Sequence, residues 1–302
     1  MNLNLGLIGF SEGNGHPFSW SAIFNGYNSD AMEQCGFPAI PRYLEKQEWP
    51  RDRIHGANVS MVWTQDLKLS ESIAKAGLIP TVVEDLQDMV GRVDGVLLAR
   101  DDSENHALIA EPFLKAGLPI YIDKPIALSK DELENLYRLE KREGQIFTCS
   151  ALRYSRNLEL TTEDEENIGQ IESIEAVAPK SWDKYVIHII EPVLKLIPPD
   201  DKIVSVEVVP GFEAKSAERA QFMEVQWGSQ VTTRFLTTGK PDTSISIKIN
   251  GTEGEKTLEF GDPYMSFKSA LESFVQGIRL SSVESPKGFN MRVVDLIEKG
   301  RS

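Results

Sequence analysis

The sequence lacks the features that mark membrane, secreted and nucleic-acid-binding proteins. No apolar run approaches the roughly 18 uninterrupted residues that a membrane span needs. The N-terminal MNLNLGLIGF has no basic leader before a long apolar stretch. Lysine and arginine never form a long cluster, and 46 acidic against 32 basic residues give a formal net charge of -14. This balance argues against nucleic acid and membranes as partners, and we expect a cytoplasmic protein.

Cysteine is equally scarce. Cys35 and Cys149 lie far apart, and neither belongs to a Cys-x-x-Cys or Cys/His cluster. A recognisable zinc site is therefore excluded, no metal is expected, and two isolated thiols fit a reducing compartment. We interpret both cysteines as small buried apolar residues, with a reactive thiol as the alternative.

The first 125 residues alternate two kinds of apolar pattern. Short apolar runs predict strands at 3–10, 59–65, 95–100 and 119–123. Between them, apolar residues at three- and four-residue spacing predict helices in SWSAIFNGY, LSESIAKAG, VEDLQDMVGR and HALIAEPFLKAG. The alternation predicts an α/β fold whose N-terminal domain, residues 1–125, is a Rossmann-type, doubly wound parallel sheet. The proline-containing segment 29–58 interrupts the rhythm, and is either a functional loop or a small insertion that covers a site.

After about residue 150 the pattern changes to successive strands with turn residues between them. The predicted strands are 173–180, 203–211, 222–228, 231–239, 244–251 and 256–261, with Asn250-Gly251 as a hairpin signal. Apolar stripes predict helices at 266–280 and about 290–299. Residues 126–302 are thus expected to form an α+β domain, for substrate binding and oligomerisation, with a mainly antiparallel, open-faced sheet.

A glycine-rich stretch follows the first strand. Gly9, Gly13 and Gly15 are spaced Gly-x-x-x-Gly-x-Gly, which differs from the regular Gly-x-Gly-x-x-Gly of dinucleotide-binding loops. Such glycines let a pyrophosphate approach the backbone, although a glycine-rich turn also arises for steric reasons alone. The candidate cofactor-binding residues here are Gly9, Phe10, Ser11, Gly13 and Asn14.

The second strand ends without the acid that usually binds the adenosine ribose. Thr64 and Gln65 stand at that position, and Asp66 comes slightly late. Because no carboxylate is placed to repel a 2'-phosphate, NAD and NADP are equally plausible cofactors. Thr64 is added to the candidate cofactor-binding residues.

Three stretches together resemble the glucose-fructose oxidoreductase / inositol dehydrogenase / MocA (Gfo/Idh/MocA) family: LNLGLIGF, VDGVLLARDDSENHALIAEPFLKAGLPIYIDKPIALS and WDKYVIHIIEPVLKLI. In that family a strand ends in Glu-Lys-Pro, here Asp123-Lys124-Pro125. The resemblance implies that Lys124 faces the nicotinamide and the substrate, where it takes part in binding and proton transfer. It also implies a homo-oligomer, a dimer or tetramer.

The family's Asp-x-Gly-x-His segment aligns imperfectly with this chain. Its histidine falls on His188, but Lys184 takes the place of the acid, and Asp183 comes one residue earlier. The resemblance implies Lys124, His188 and Lys184 as catalytic candidates. It implies Lys124, Arg153, Tyr154, Asp183, Lys184 and His188 as substrate-binding candidates.

Two further positions stay open in the sequence. Arg100 either lies against the pyrophosphate, as a cofactor-binding residue with Lys124, or caps a strand. His106 either anchors the start of a helix or approaches the cofactor.

The resemblance implies an NAD(P)-dependent oxidoreductase that transfers hydride to or from a sugar, nucleotide-sugar or polyol carbinol. Lys124 and His188 would move the hydroxyl proton. A family member without redox turnover, acting as a ligand-sensing regulator or scaffold, is the alternative. A third possibility is an enzyme that holds NAD tightly, uses it in a transient redox cycle and performs net hydrolysis or elimination.

Overall fold

The computed structural model describes residues 2–210 and 219–301. The strands, in chain order, are β1 Leu3–Ile8, β2 Ala57–Trp63, β3 Thr81–Val82, β4 Gly95–Leu98, β5 Ile120–Ile122, β6 Ile146–Phe147, β7 Ile171–Ala178, β8 Ile203–Pro210, β9 Gln221–Trp227, β10 Thr232–Thr237, β11 Ser246–Gly251 and β12 Glu255–Glu259. The α-helices are α1 His16–Asn25, α2 Ser29–Glu33, α3 Ala39–Leu44, α4 Leu67–Ala76, α5 His106–Ala116, α6 Lys130–Tyr137, α7 Thr162–Ile168, α8 Trp182–Tyr185, α9 Ile187–Leu194, α10 Pro263–Leu280 and α11 Lys287–Gly300.

The first sheet has the strand order β3-β2-β1-β4-β5-β6, and all of its described strand pairs are parallel. The order reverses at β1, so the carboxyl ends of β1 and β4 flank the point where a doubly wound sheet binds its ligands. The second sheet has the order β12-β11-β7-β10-β9-β8 and is antiparallel except for the β7–β10 pair. The predicted fold class is confirmed.

The chain divides into two compact units. The first unit comprises Met1–Ala127, Asp131–Cys149 and Phe267–Lys287, and so extends beyond the boundary predicted at residue 125. Its later segments are fixed by aromatic packing, because Phe147 of β6 lies 4.6 Å from Tyr121 and 5.7 Å from Phe274 between ring centroids. The second unit comprises Leu128–Lys130, Ser150–Ser266 and Gly288–Ser302.

The second sheet has one buried and one polar face. Its buried positions alternate along the strands, as with Ile174, Ala176 and Ala178 of β7, and belong to an apolar core that includes α9 and α11. The opposite face carries charged residues, among them Arg234, whose Nε lies 2.7 Å from Glu224 Oε2. This is the alternation expected of an antiparallel sheet that is covered on one side only.

A predicted helix and a predicted turn both differ from the observed local structure. The helix predicted in VEDLQDMVGR is wrong: only a short 3-10 turn forms, Leu86–Met89, because Val90 is extended and Gly91 then takes a positive φ of 78°. The hairpin signal Asn250-Gly251 lies at the end of β11 and not in the turn, which instead spans 252–254.

The segment 29–58 contains α2 and α3, and its apolar side chains are buried. Met32 and Leu44 are fully inaccessible, and Ile40 is nearly so. Cys35 and Cys149 are buried too, as predicted. Across the described residues, no helix combines the length and apolar character needed to cross a membrane.

Candidate active site

The glycine loop between β1 and α1 has empty space beside Gly13 and close packing beside Gly15. Gly13 has a φ of 81°, and a Cβ added there would meet no atom of the described residues within 4 Å. At Gly15, in contrast, a Cβ would lie 2.7 Å from Ile40 Cδ1 and 2.8 Å from Phe37 Cγ. Gly15 is therefore required for packing against the segment 29–58, and Gly13 provides the open backbone that a pyrophosphate needs.

The polar side chains of this loop are engaged inside the first unit. Ser11 Oγ donates to Asp101 Oδ1 at 2.6 Å. Asn14 Oδ1 accepts from the backbone nitrogen of His16 at 2.9 Å, at the start of α1. Because Pro17 has no N–H, the first turn of α1 offers few free donors, and the fit of a pyrophosphate rests on the backbone around Gly13.

Asp123, at the end of β5, connects the loop to Lys124. Its side chain is buried, and Asn14 Nδ2 donates to Asp123 Oδ2 at 2.8 Å. His16 Nδ1 lies 2.5 Å from the same oxygen, and donates because a carboxylate only accepts. Asp123 Oδ1 accepts from the backbone nitrogen of Lys124 at 2.7 Å. The carboxylate thus holds the loop, the start of α1 and the lysine together.

The charges around Asp123 oppose the effect of burial on its pKa. Burial alone would raise the pKa of Asp123, but the attraction of His16 and Lys124, with hydrogen bonds from His16 and Asn14, holds that pKa below its ordinary value. Within the described part of the chain, no ion pair or hydrogen bond is recorded for the ammonium of Lys124, which is partly exposed. The side-chain nitrogen of Lys124 is therefore available to a ligand at the carboxyl edge of the sheet.

The ionised form of Asp123 should contribute to stability. Because its folded pKa is depressed, the contribution is present above the ordinary pKa of about 3.9 and is lost as the pH falls below it. We expect Asp123→Asn to lower the free energy of unfolding by about 3 kcal/mol at neutral pH. The fall in this free energy between a pH of about 7 and about 3 should also be smaller in the variant. Urea unfolding at both pH values measures these free energies, and Asp242→Asn, at an exposed aspartate, is the control. The prediction is contradicted if the free energy of unfolding depends equally on pH in the wild type, Asp123→Asn and Asp242→Asn.

The end of β2 carries an amide where a carboxylate is usual. Gln65 Nε2 donates to the carbonyl of Phe10 at 2.8 Å, and Gln65 Oε1 accepts from the Phe10 nitrogen at 3.1 Å. The same Oε1 accepts from Arg100 Nη1 at 3.0 Å. Thr64 is buried, and its hydroxyl donates to the carbonyl of Asp66 at 2.6 Å, so the hydroxyl is used locally.

Arg100 and His106 both have defined partners in the first unit. Arg100 Nε donates to Asp102 Oδ1 at 2.9 Å, and Arg100 Nη2 donates to Asp102 Oδ2 at 2.5 Å. His106 is buried, and its ring nitrogens lie 3.0 Å from the Ile126 carbonyl and 2.8 Å from the Arg100 carbonyl. Of the two roles that the sequence left open for His106, this geometry is that of an anchor at the start of α5.

The second unit places His188 in a polar cluster with Ser150 and Glu191. Ser150 Oγ lies 2.7 Å from His188 Nδ1, and the Ser150 nitrogen donates to Glu191 Oε2 at 2.9 Å. Burial raises the pKa of Glu191, and the guanidinium of Arg153 opposes that rise. Lys184 lies in α8 and is exposed, whereas Glu191 lies in α9 and is fully buried.

Arg153 is committed to this cluster. Its Nε lies 2.8 Å from Glu191 Oε2, its Nη2 lies 3.3 Å from Asn290 Oδ1, and its guanidinium carbon lies 4.5 Å from the Phe289 ring centroid. Only 9% of its side chain is exposed. A buried guanidinium with these partners has the environment of a packing residue.

The other substrate-binding candidates lie nearer the surface of the second unit. Lys184 is exposed and Tyr154 is partly exposed. Asp183 Oδ1 lies 3.0 Å from Arg301 Nε in a half-exposed ion pair. These three side chains and His188 are more accessible than Arg153.

Part of the chain matches a known protein family. Residues 41–150 match the model of the GFO_IDH_MocA family, described as an oxidoreductase family with an NAD-binding Rossmann fold. The match covers residues 41–150 of the 302 in the chain, and this part of the chain is similar to that family. The matched region runs from α3 through the Asp123-Lys124-Pro125 segment and begins after the glycine loop. Among curated proteins no match is found.

Solved structures of several dehydrogenases are similar in fold to nearly the whole chain. Myo-inositol 2-dehydrogenase from Lactobacillus plantarum is similar at a TM-score of 0.76 and 11% identity, over 100% of this chain and 96% of that chain. Scyllo-inositol dehydrogenase from Lactobacillus casei, with bound NAD(H) and scyllo-inositol, is similar at a TM-score of 0.73 and 14% identity, over 98% of this chain and 95% of that chain. UDP-N-acetylglucosamine 3-dehydrogenase from Acidithiobacillus ferrooxidans is similar at a TM-score of 0.71 and 13% identity, over 100% of this chain and 97% of that chain. Identities this low establish the fold alone.

Sequence reasoning missed His16 as a partner of the site. Its ring stacks on Trp20 at 5.0 Å between centroids and meets the buried carboxylate of Asp123. The signal was present, since His16 directly follows the glycine loop, but the 107 residues that separate it from Asp123 conceal the contact. Ser150 was missed for the same reason, because its partner His188 is 38 residues away.

Proposed function

We propose that this protein is an NAD(P)-dependent dehydrogenase or reductase that acts on the CH–OH group of a sugar, nucleotide sugar or polyol. The observation that carries the proposal is the position of Lys124, at the carboxyl edge of the Rossmann sheet and linked through Asp123 to the glycine loop. The family of residues 41–150 and the names of the similar structures support this reaction class.

The dinucleotide would be held by the loop residues Gly9, Phe10, Ser11, Gly13 and Asn14, by the strand-end residues Thr64 and Arg100, and by Lys124. Gly13 supplies the close approach, and Arg100 supplies a positive charge beside Gln65. Either NAD or NADP is compatible, because Gln65 neither repels a 2'-phosphate nor requires a free ribose hydroxyl. When bound, the nicotinamide supplies or accepts the hydride.

Lys124 and His188 would move the proton of the substrate hydroxyl. Lys124 takes the proton during oxidation and returns it during reduction, so one group serves both directions. The contact of Ser150 Oγ with His188 Nδ1, at 2.7 Å, would hold the imidazole in one orientation. Lys184, Asp183 and Tyr154 would contact the hydroxyl or phosphate oxygens of the substrate, and Lys184 is the third catalytic candidate.

Titration of the purified protein with NADH and NADPH tests the proposal, with nicotinamide fluorescence as the readout. Saturable binding of one form is expected and selects the cofactor for turnover assays with myo-inositol, scyllo-inositol and UDP-N-acetylglucosamine. Gly13→Val should weaken binding at least about tenfold, because the added side chain fills the open space at the loop. Gly91→Val is the matched control, since Gly91 also has a positive φ and open surroundings.

A non-redox role as a ligand-sensing regulator or scaffold is favoured by one observation. The loop is closed at Gly15 by Phe37 and Ile40, and the first amide of α1 is taken by Asn14. If neither dinucleotide binds the purified protein, the dehydrogenase proposal is wrong and this role becomes the leading account.

A further inference from the structure

A cavity of about 460 Å³ lies in the second unit, and none of the residues assigned above to the reaction lines it. Its walls come from the segment before β8, from the end of β9 and from α11. This volume falls within the range of about 300–1,000 Å³ that is typical of small-molecule sites. The side chains that determine its chemistry are Asp201, Lys202, Trp227, Arg292, Asp295 and Lys299.

Among residues 2–210 and 219–301, no side chain or carbonyl forms a hydrogen bond or ion pair with the guanidinium group of Arg292. Its guanidinium carbon lies 5.5 Å from the centroid of the Trp227 ring, and its Nη2 is buried without a hydrogen-bond partner among the described residues. Burial lowers the pKa of Arg292, and Asp201 and Asp200 oppose this effect without forming a recorded ion pair. Since 46 acidic residues are available in this chain, an arginine left without a carboxylate calls for another anion.

The two acids in the cavity wall are already satisfied by other groups. Asp201 accepts from the Ser229 nitrogen at 3.1 Å and from Ser229 Oγ at 2.5 Å. Asp295 lies 2.7 Å from Nζ of both Lys130 and Lys299. Neither carboxylate therefore neutralises Arg292 directly.

Lys202 adds a second cation to the same wall. Its side chain is exposed, and no ion pair is recorded for it in the described part of the chain. Arg292 and Lys202 thus present two positive charges, while the apolar surface of Trp227 and Leu296 forms part of the same wall. A guanidinium binds phosphate and carboxylate oxygens in pairs, and an ammonium adds a point charge.

We propose that this cavity binds a small anionic metabolite through a phosphate or carboxylate group held by Arg292 and Lys202. The site is separate from the residues of the proposed reaction, and it requires no dehydrogenase activity.

Isothermal titration calorimetry of the full chain tests the proposal in chloride buffer, with pyrophosphate and citrate as probes of the two chemistries. Saturable binding of at least one probe is expected, and the stronger of the two identifies phosphate or carboxylate as the preferred group. Arg292→Gln should weaken that binding at least about tenfold, because a charge-assisted hydrogen bond is lost. Lys202→Gln, a surface change that leaves packing intact, should weaken it about threefold or more.

Lys240→Gln is the matched control, since it removes one positive charge at an exposed lysine away from this wall. It should leave the affinity within about twofold, because screened surface charges act weakly at a distance. The proposal is overturned if neither probe binds the wild-type protein. It is also overturned if Lys202→Gln and Lys240→Gln reduce the affinity equally, because the effect would then come from net charge alone.

Discussion

Replacing Lys124 with methionine should lower kcat by about 10²–10⁴-fold, the usual contribution of a positioned acid or base. Methionine keeps the length and apolar stem of the lysine but cannot carry a proton. Asp123 retains its bonds to Asn14 and His16 in the variant, so the glycine loop should keep its shape. Dinucleotide affinity should fall by no more than about tenfold, because the contact with Lys124 is lost while the loop amides that hold the pyrophosphate are unchanged.

Steady-state kinetics with the substrate and cofactor that the wild-type protein uses provides the measurement, and fluorescence titration provides the affinity. Lys115→Met is the matched control, because Lys115 is an exposed lysine of α5 whose Nζ lies 2.7 Å from Glu111 Oε1. Added ethylamine should restore part of the activity of Lys124→Ala, since a free amine can occupy the vacated position. If kcat is unchanged and only KM rises, Lys124 binds the substrate without moving the proton.

Arg153→Met should destabilise the protein by about 3–5 kcal/mol, because it leaves the carboxylate of Glu191 buried without its partner. Only about 2% of the Glu191 side chain is exposed, so water cannot replace the lost guanidinium. The double variant Arg153→Met/Glu191→Gln removes both charges and keeps an acceptor for the Ser150 nitrogen. It should regain most of the lost stability, since a neutral amide costs far less to bury than a carboxylate.

Urea unfolding of the wild type and of the single and double variants measures these differences as a double-mutant cycle. The same experiment decides between the two roles of Arg153, as substrate ligand or as packing residue. A stable Arg153→Met variant whose KM is raised at least about tenfold would show that the guanidinium binds substrate instead. Activity per folded molecule close to the wild-type value would support the packing role.

Local pattern was sufficient to predict most of the elements that carry the site. The run Pro119 to Asp123 predicted the strand that delivers Lys124, because a buried parallel strand is continuously apolar. The stripe at 266–280 predicted α10 because one side of a helix packs against a core. Strand β6 was missed, since two residues of strand carry no period of their own and are recognisable only beside β5.

The sequence by itself determined the α/β class, the order of the elements and the candidate residues at strand ends, because each of these depends on neighbours within a few positions of the chain. Only the tertiary structure decided how those residues are used. Asp123 could be seen beside Lys124, but its bonds to Asn14 and His16 join segments more than a hundred residues apart. Arg153 is a substrate-binding candidate in the sequence, but in the fold its side chain is buried against Glu191. Side-chain partners and burial are properties of the folded chain, since they arise from contacts between distant segments.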